Sequence, residues 1–331
     1  MLCAMNTLIS NFTQHLTDAL EIGKKAELQP TSRQINNVLI SGLGGSGIGG
    51  TIVSQLTEQE ASVPINVNKD YFVPAYVNEN SLVIISSYSG NTEETLSAMK
   101  QAHDQKAEVV CVTSGGEVLK MAEEHSLNHI VIPGGMPPRA CLGYSLTQLF
   151  FVLSHYGIIG DSFADQIANA ITLLDNEEAS IQHASKELAK TIHNTTPIIY
   201  TAANFEGVGI RLRQQLNENA KQLCWHHVFP EMNHNELVGW KSGSEALSVI
   251  LLRNSTDYER TQTRFETCKE IFGKYTSNVT EVYSKGDTEI EKALYLIHYG
   301  DWLSWYLSEL NEADSMEVDV IDYLKSELSK T

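Results

Sequence analysis

Two small-residue loops and a few separated charged side chains carry the chemistry this sequence offers. Gly42-Leu43-Gly44-Gly45-Ser46-Gly47 follows an apolar run and opens a helical pattern. Glycines there let backbone N–H groups close on an anion at the positive end of a helix, and Ser46 adds a hydroxyl donor. Ser87-Tyr88-Ser89-Gly90-Asn91-Thr92-Glu93-Glu94-Thr95 stands in the same relation to a later apolar run. One hydroxyl would cap that helix; Ser87, Ser89 and Thr92 together exceed what capping needs and suit phosphate oxygens. The glycine string also satisfies G-x-G-x-x-G, with Asp70 downstream as a ribose-binding acid, so a nicotinamide oxidoreductase competes. The second hydroxyl loop favours a terminal phosphate, because a pyrophosphate bridge has no need of it.

Four charged residues suit proton transfer or charge stabilisation. Arg139, after Pro137-Pro138, either opposes charge on a substrate oxygen or is a surface arginine with its stem on Pro138. Glu218 sits about 160° from Leu216 on a helix whose expected apolar stripe is Leu212, Leu216, Ala220 and Leu223, so it faces solvent, a cleft or a partner, or pairs with Lys221. His234, between Asn233 and Asn235 in a loop after Pro230, suits proton transfer or a bond to backbone. Lys325 lies in the C-terminal helical pattern, where the helix dipole favours a cation. His226 and His227 are adjacent and point to opposite sides whether in strand or helix, and no H-x-H or H-x-x-x-H spacing completes a ligand set, so no metal is expected.

The elements that must hold these residues follow from the apolar pattern. From Asn37 onward, short runs rich in branched residues alternate with helical stretches, the mark of stacked β-α units and a parallel sheet. Strands are expected at 38–40, 65–67, 82–86, 109–112 and 129–132, with helices starting near Ile48, Thr92, Glu117 and Cys141. Residues 162–193 read as a strandless helical bridge. The pattern then restarts, with strands at 197–201, 246–252 and 279–282 and helices over 206–223, 258–273 and 288–310. The N-terminal 1–20 reads as a helix, and the tail 318–329 as an amphipathic helix with Val320, Ile321, Leu324 and Leu328 inward.

The 331 residues suffice for two domains at roughly 150 residues each. With 41 acidic against 23 basic residues the net charge is −18, which opposes nucleic acid and anionic membranes, and no basic patch offsets it. A 42% hydrophobic content in short runs fits a soluble globular protein, not a membrane span. The cysteines, Cys3, Cys111, Cys141, Cys224 and Cys268, never take C-x-x-C spacing, so neither a disulfide framework nor a thiolate zinc site is expected and a reducing cytoplasm fits.

The two loops resemble those of the sugar isomerase (SIS) domain, a fold that binds phosphosugars. Pro137-Pro138-Arg139-Ala140, Asn217-Glu218-Asn219-Ala220-Lys221, Pro230-Glu231-Met232-Asn233-His234-Asn235-Glu236 and Ile321-Asp322-Tyr323-Leu324-Lys325 resemble, in order and spacing, the bifunctional phosphoglucose/phosphomannose isomerases. The likeness runs over residues 38–325. Asp314-Ser315-Met316-Glu317-Val318 departs from the family pattern, which often has proline after the aspartate and a threonine nearby.

The resemblance implies an α/β chain of two SIS-type lobes, each a mainly parallel sheet flanked by helices in three layers. Residues 1–155 would form the lobe with the phosphate loops, and 156–331 the helical bridge, second lobe and C-terminal helix. It implies a cofactor-free aldose-ketose isomerase acting on hexose 6-phosphates, with the phosphate held by Gly45, Ser46, Ser87, Ser89 and Thr92. Glu218 would be the base, Arg139 the counter-charge to an enediolate, and Lys325 an ammonium reaching the sugar oxygens. His234 would open the ring, coming from the neighbouring subunit of a homodimer. A non-catalytic phosphosugar-binding regulator would keep the loops but has no use for Glu218, His234 and Lys325 together.

Overall fold

The computed structural model describes residues 4–328 and 330. Met1–Cys3 of the expected N-terminal helix and Ser329 of the expected tail helix lie outside the described residues. In place of one N-terminal helix there are two, α1 (Met5–Ser10) and α2 (Phe12–Lys25), divided at Asn11, a residue type whose side chain competes with helical backbone bonds.

The first sheet is built from β1 (Asn37–Ser41), α3 (Gly44–Leu56), β2 (Ile65–Asn68), β3 (Ser81–Ser87), α4 (Glu93–Asp104), β4 (Glu108–Thr113), α5 (Gly116–Glu124) and β5 (Asn128–Val131), with α6 (Leu142–His155) closing it. Its five strands run parallel in the order β2-β1-β3-β4-β5. Buried parallel strands need both faces apolar, and these residues divide by parity. Val38, Ile40, Leu82 and Ile84 join a core with α2, α3 and α6, whereas Leu39, Val83 and Ile85 pack on Ala98 and Met99 of α4 and Val118 and Met121 of α5. The strand order reverses between β1 and β3, so the glycine loop and the hydroxyl loop leave the sheet on either side of that reversal, where open α/β sheets bind ligands.

The strandless stretch is a single helix, α7 (Phe163–Ile192). Then follow β6 (Thr196–Ala202), α8 (Glu206–Glu218), β7 (Trp225–Phe229), α9 (Glu236–Gly239), β8 (Leu247–Arg253), α10 (Glu259–Phe272), β9 (Val279–Tyr283), α11 (Glu289–Leu310) and α12 (Asp319–Leu328). The second sheet is parallel, in the order β7-β6-β8-β9. Ile198, Tyr200, Val249 and Leu251 face Phe265 and Phe272 of α10. Ile199, Ile250 and Leu252 face inward and share one core with Val38 and Ile40 of the first sheet, bridged by α7 and α11 packed along each other. Where α3 meets α8 the two backbones nearly touch: a Cβ on Gly207 would lie 2.9 Å from Cγ1 of Ile52.

Three expectations need correction. β7 is a strand that the apolar pattern did not single out, because Trp225, His226 and His227 make an edge strand with no apolar run. The helix expected over 206–223 stops at Glu218: Lys221 takes a left-handed conformation (φ 54°) and the Gln222 N–H bonds back to the Leu216 carbonyl at 3.1 Å, so Leu223 leaves the apolar stripe and is 83% exposed. The tail forms its helix, α12, but Val320, Ile321, Leu324 and Leu328 point outward, with Val320 79% exposed, so the apolar face is turned away from the core of its own chain.

Candidate active site

The two loops interlock at the carboxyl ends of β1 and β3. The Tyr88 N–H donates to Ser46 Oγ at 3.0 Å. Ser87 Oγ donates to Thr92 Oγ1 at 3.3 Å, and the Asn91 N–H donates to Ser89 Oγ at 3.3 Å. Ser46 and Ser87 are buried, Thr92 is the N-cap position of α4, and Ser89 is exposed. α3 begins at Gly44, a turn earlier than the expected Ile48, so Gly45 and Ser46 lie in its first turn; the Ser46 N–H already donates to the Leu43 carbonyl at 3.1 Å, which leaves its hydroxyl and the helix end itself to face an anion. The nest therefore combines a helix end with four hydroxyls.

A short 3₁₀ turn, Pro138–Ala140, lies over this nest: a Cβ on Gly45 would sit 3.0 Å from the Pro138 carbonyl oxygen, an approach only glycine allows without a shift. The turn delivers Arg139 to the edge of the nest. Arg139 is buried and thoroughly held. Its Nε donates to Asn219 Oδ1 at 2.8 Å, and its guanidinium donates to the carbonyls of Ser315 at 2.6 Å and Met316 at 3.3 Å. Its own carbonyl accepts from Arg211 at 2.6 Å, and Arg211 pairs with Asp301 at 3.0 Å, both buried. The remaining Arg139 nitrogen faces Glu218 Oε2 at 3.6 Å. Burial lowers the Arg139 pKa and the Glu218 carboxylate raises it; an arginine in such company stays charged.

Glu218 ends α8, and its side chain is 30% exposed beside a guanidinium that is 5% exposed. It faces neither core nor open solvent but a cation, with an edge open to a small molecule. Lys221 does not pair with its carboxylate; Lys221 Nζ donates to the Glu218 carbonyl at 2.7 Å.

His234 lies elsewhere in the same chain. α8 runs back across the second sheet from the carboxyl end of β6, so Glu218 sits near the start of β7, whereas His234 ends the 3₁₀ turn that follows β7. The five-residue strand between them spans about 16 Å. The His234 side chain is exposed and makes no hydrogen bond or ion pair with the described residues. Lys325 projects from the exposed α12, whose root is the 314–317 segment held by Arg139. His226 and His227 take opposite sides of β7: His226 Nε2 is 3.6 Å from Glu206, and His227 Nδ1 accepts from the Val228 N–H. Asp70 accepts from the Tyr71 N–H in the loop after β2. Among the described residues no three His, Cys, Asp or Glu side chains converge in a metal-binding group, and no helix is long and apolar enough to cross a membrane.

Sequence reasoning passed over Asn219, Arg211 and Asp301, the residues that aim Arg139. Asn219 stands inside the Asn217–Lys221 motif, so that signal was present; Arg211 and Asp301 are distant in sequence and meet only through the packing of α8 on α11. A cavity of about 680 Å³, lined by Ser54, Gln55, Glu58 and Asn204 among others, lies at the opposite end of α3 from Ser46 and has no part in this arrangement.

Comparison with known proteins places the family and the fold. The model of the bacterial phospho-glucose isomerase C-terminal SIS domain matches residues 181–328. A bifunctional phosphoglucose/phosphomannose isomerase of Caldicellulosiruptor bescii is 35% identical, over 97% of this chain and 98% of the relative. One of Aquifex aeolicus is 33% identical over 88% and 90%. Among solved structures, the C-terminal domain of glucosamine-fructose-6-phosphate aminotransferase from Francisella tularensis superposes with a TM-score of 0.75 at 11% identity, covering 95% of this chain and 97% of that one. Tagatose-6-phosphate ketose/aldose isomerase from Escherichia coli gives 0.66 at 13%, covering 96% and 98%. The fold is thus that of two SIS-type α/β lobes, and the chain belongs to the bifunctional phosphoglucose/phosphomannose isomerase family.

Proposed function

We propose that the chain is an aldose-ketose isomerase interconverting glucose 6-phosphate and mannose 6-phosphate with fructose 6-phosphate through a cis-enediol. The observation that carries this reading is the pairing of Arg139 with Glu218 at 3.6 Å beside the hydroxyl nest. The helix end at Gly45 and the hydroxyls of Ser46, Ser87, Ser89 and Thr92 hold the phosphate, turning remote binding into orientation at C1 and C2. The Glu218 carboxylate takes the C2 proton of the open-chain aldose; the C2–H electrons form the C1=C2 bond and the carbonyl oxygen gains charge. Arg139 opposes that charge. The O2 hydroxyl proton passes to O1, the O2 electrons form the C2=O bond, and the C1=C2 pair takes up the proton that Glu218 returns to C1, which gives the ketose. The two aldoses differ only at C2, which is planar in the enediol, so one site serves both when rotation about C2–C3 offers either face of C2 to Glu218.

His234 shuttles the ring-opening proton, aided by Lys325. The separation of His234 from Glu218 along β7 supports a homodimer in which His234 of one protomer completes the site of the other. Residues 1–155 then supply the anchor and 156–331 the base. The scattered cysteines support a cytoplasmic setting, with Cys111, Cys141, Cys224 and Cys268 all free thiols. The test is a coupled assay for fructose 6-phosphate formed separately from each hexose phosphate. Product from neither would overturn the reading, and product from one alone would overturn the shared base.

A further inference from the structure

The carboxyl end of α8, the loop after α11 and the root of α12 are fastened together at one side chain. Lys221 Nζ donates to the carbonyls of Glu218 at 2.7 Å, Asp314 at 2.8 Å and Glu317 at 2.7 Å, and lies 3.6 Å from the Glu317 carboxylate. An ammonium has three donors, and here each meets a main-chain carbonyl. The first of these belongs to the residue proposed as the base, whose carbonyl, at a helix end, has no intrahelical partner. The other two flank Ser315 and Met316, whose carbonyls accept from Arg139. Two cations therefore grip four consecutive carbonyls of the 314–317 segment, Arg139 in the middle and Lys221 at both ends. Lys221 holds an uncommon left-handed backbone conformation (φ 54°) to do so. Nothing about a helix stop requires lysine there; glycine or asparagine would serve the backbone better.

We infer that Lys221 is a positioning residue of the isomerase reaction, clamping the 314–317 segment to the end of α8 so that Glu218, Arg139 and the root of the Lys325 helix keep one mutual geometry. The inference rests on the reading of Glu218 as the base. Lys221 does not touch the reacting carbons; it acts through the main chain of Glu218 and through the segment on which Arg139 leans. Without the amine, three carbonyls lose their donor and the segment is held by Arg139 alone among these contacts. A displacement of about 1 Å at a positioned base costs up to about 100-fold in rate.

The test uses Lys221→Asn and Lys221→Arg in the full chain. Asparagine tolerates the left-handed conformation, so the change removes the amine without straining the backbone. Lys221→Asn should lower kcat for both hexose phosphates by about 10- to 100-fold. The inhibition constant of inorganic phosphate, which reports the anchor, and the melting temperature should stay as in wild type. Amide hydrogen exchange over residues 314–328 should accelerate. Lys221→Arg keeps a cation with several donors and should regain part of the rate. An unchanged kcat in Lys221→Asn would overturn the inference, as would a loss that comes with weaker phosphate inhibition, a lowered melting temperature or unaltered exchange over 314–328. Glu218→Gln, measured in parallel, separates the two readings. If it is inactive while Lys221→Asn is normal, only the role of Lys221 falls; if it is as active as wild type, the base assignment falls and the role of Lys221 with it.

Discussion

Glu218 Oε2 and the Arg139 guanidinium, 3.6 Å apart, join the two lobes at the site: the arginine stands on a turn that leans on the glycine loop of the first sheet, and the glutamate ends a helix of the second. The carboxylate faces a buried cation on one side and keeps an exposed edge on the other, where a small molecule can reach it.

Glu218→Gln keeps the length and one hydrogen-bonding oxygen but cannot accept a proton. Positioned general bases contribute about 100- to 10,000-fold, so turnover should fall by at least about 100-fold for both aldose phosphates together, with KM changed only modestly. In heavy water the wild type should place deuterium at C2 of recovered aldose phosphate and the variant should not. Retention of either activity would move the base assignment to Glu231 or Glu236.

The Ser89→Ala, Thr92→Ala double variant should raise KM. Each charge-assisted hydrogen bond lost to the phosphate costs about 1.5–3 kcal/mol, roughly tenfold or more in binding apiece. A normal KM would put the phosphate outside this nest.

If His234 crosses to a partner, mixing inactive Glu218→Gln and His234→Ala chains under conditions of subunit exchange should restore activity at a fraction of sites. Mass spectrometry of isotope-labelled chains confirms the exchange. An exchanged mixture without activity would mean that each protomer owns its whole site.

Asp301→Ala leaves the buried Arg211 guanidinium without its carboxylate, although the carbonyl of Arg139 still accepts from it. Breaking a buried pair on one side costs about 3–5 kcal/mol, which urea unfolding should read as a lowered midpoint. Asp301→Asn, which keeps an acceptor oxygen, should lose less.

Two histidines make stability depend on pH. Burial lowers the pKa of His15 and of His226 from the ordinary 6.5, so each is neutral in the folded chain where it is protonated in the unfolded one. The unfolded state then binds more protons, and stability falls as pH drops from about 6.5 toward the folded values. Replacing His15 by Gln should flatten part of that fall in urea midpoints between pH 7 and 5. An unaltered slope would assign the dependence elsewhere.

Much of this architecture was legible because buried parallel strands must be apolar on both faces: Val38–Ile40, Leu82–Ile85 and Val249–Leu252 announce themselves. β7 was not, since Trp225-His226-His227 carries no apolar run and owes its strand to pairing with β6. Leu223 looked like the next residue of a helical stripe, but a left-handed Lys221, whose ammonium has three carbonyls to satisfy, ends the helix first. The apolar face of α12 read as inward because periodicity specifies that a face wants cover and not which surface covers it. Of the site, loops and charges were visible as types. The meeting of Arg139 with Glu218, and the Arg211–Asp301 pair behind it, depend on α8 packing on α11 and on residues far apart in sequence.

The near-contact of Gly207 with Ile52 has a consequence at the far end of α8. Gly207 lies in the first turn of that helix and Glu218 ends it, so a rigid strut of about 17 Å links the contact with α3 to the Glu218 side chain. A larger side chain at position 207 must push against Ile52, and any shift it forces on α8 is carried along the helix to the Glu218 end, far from the residue that was changed.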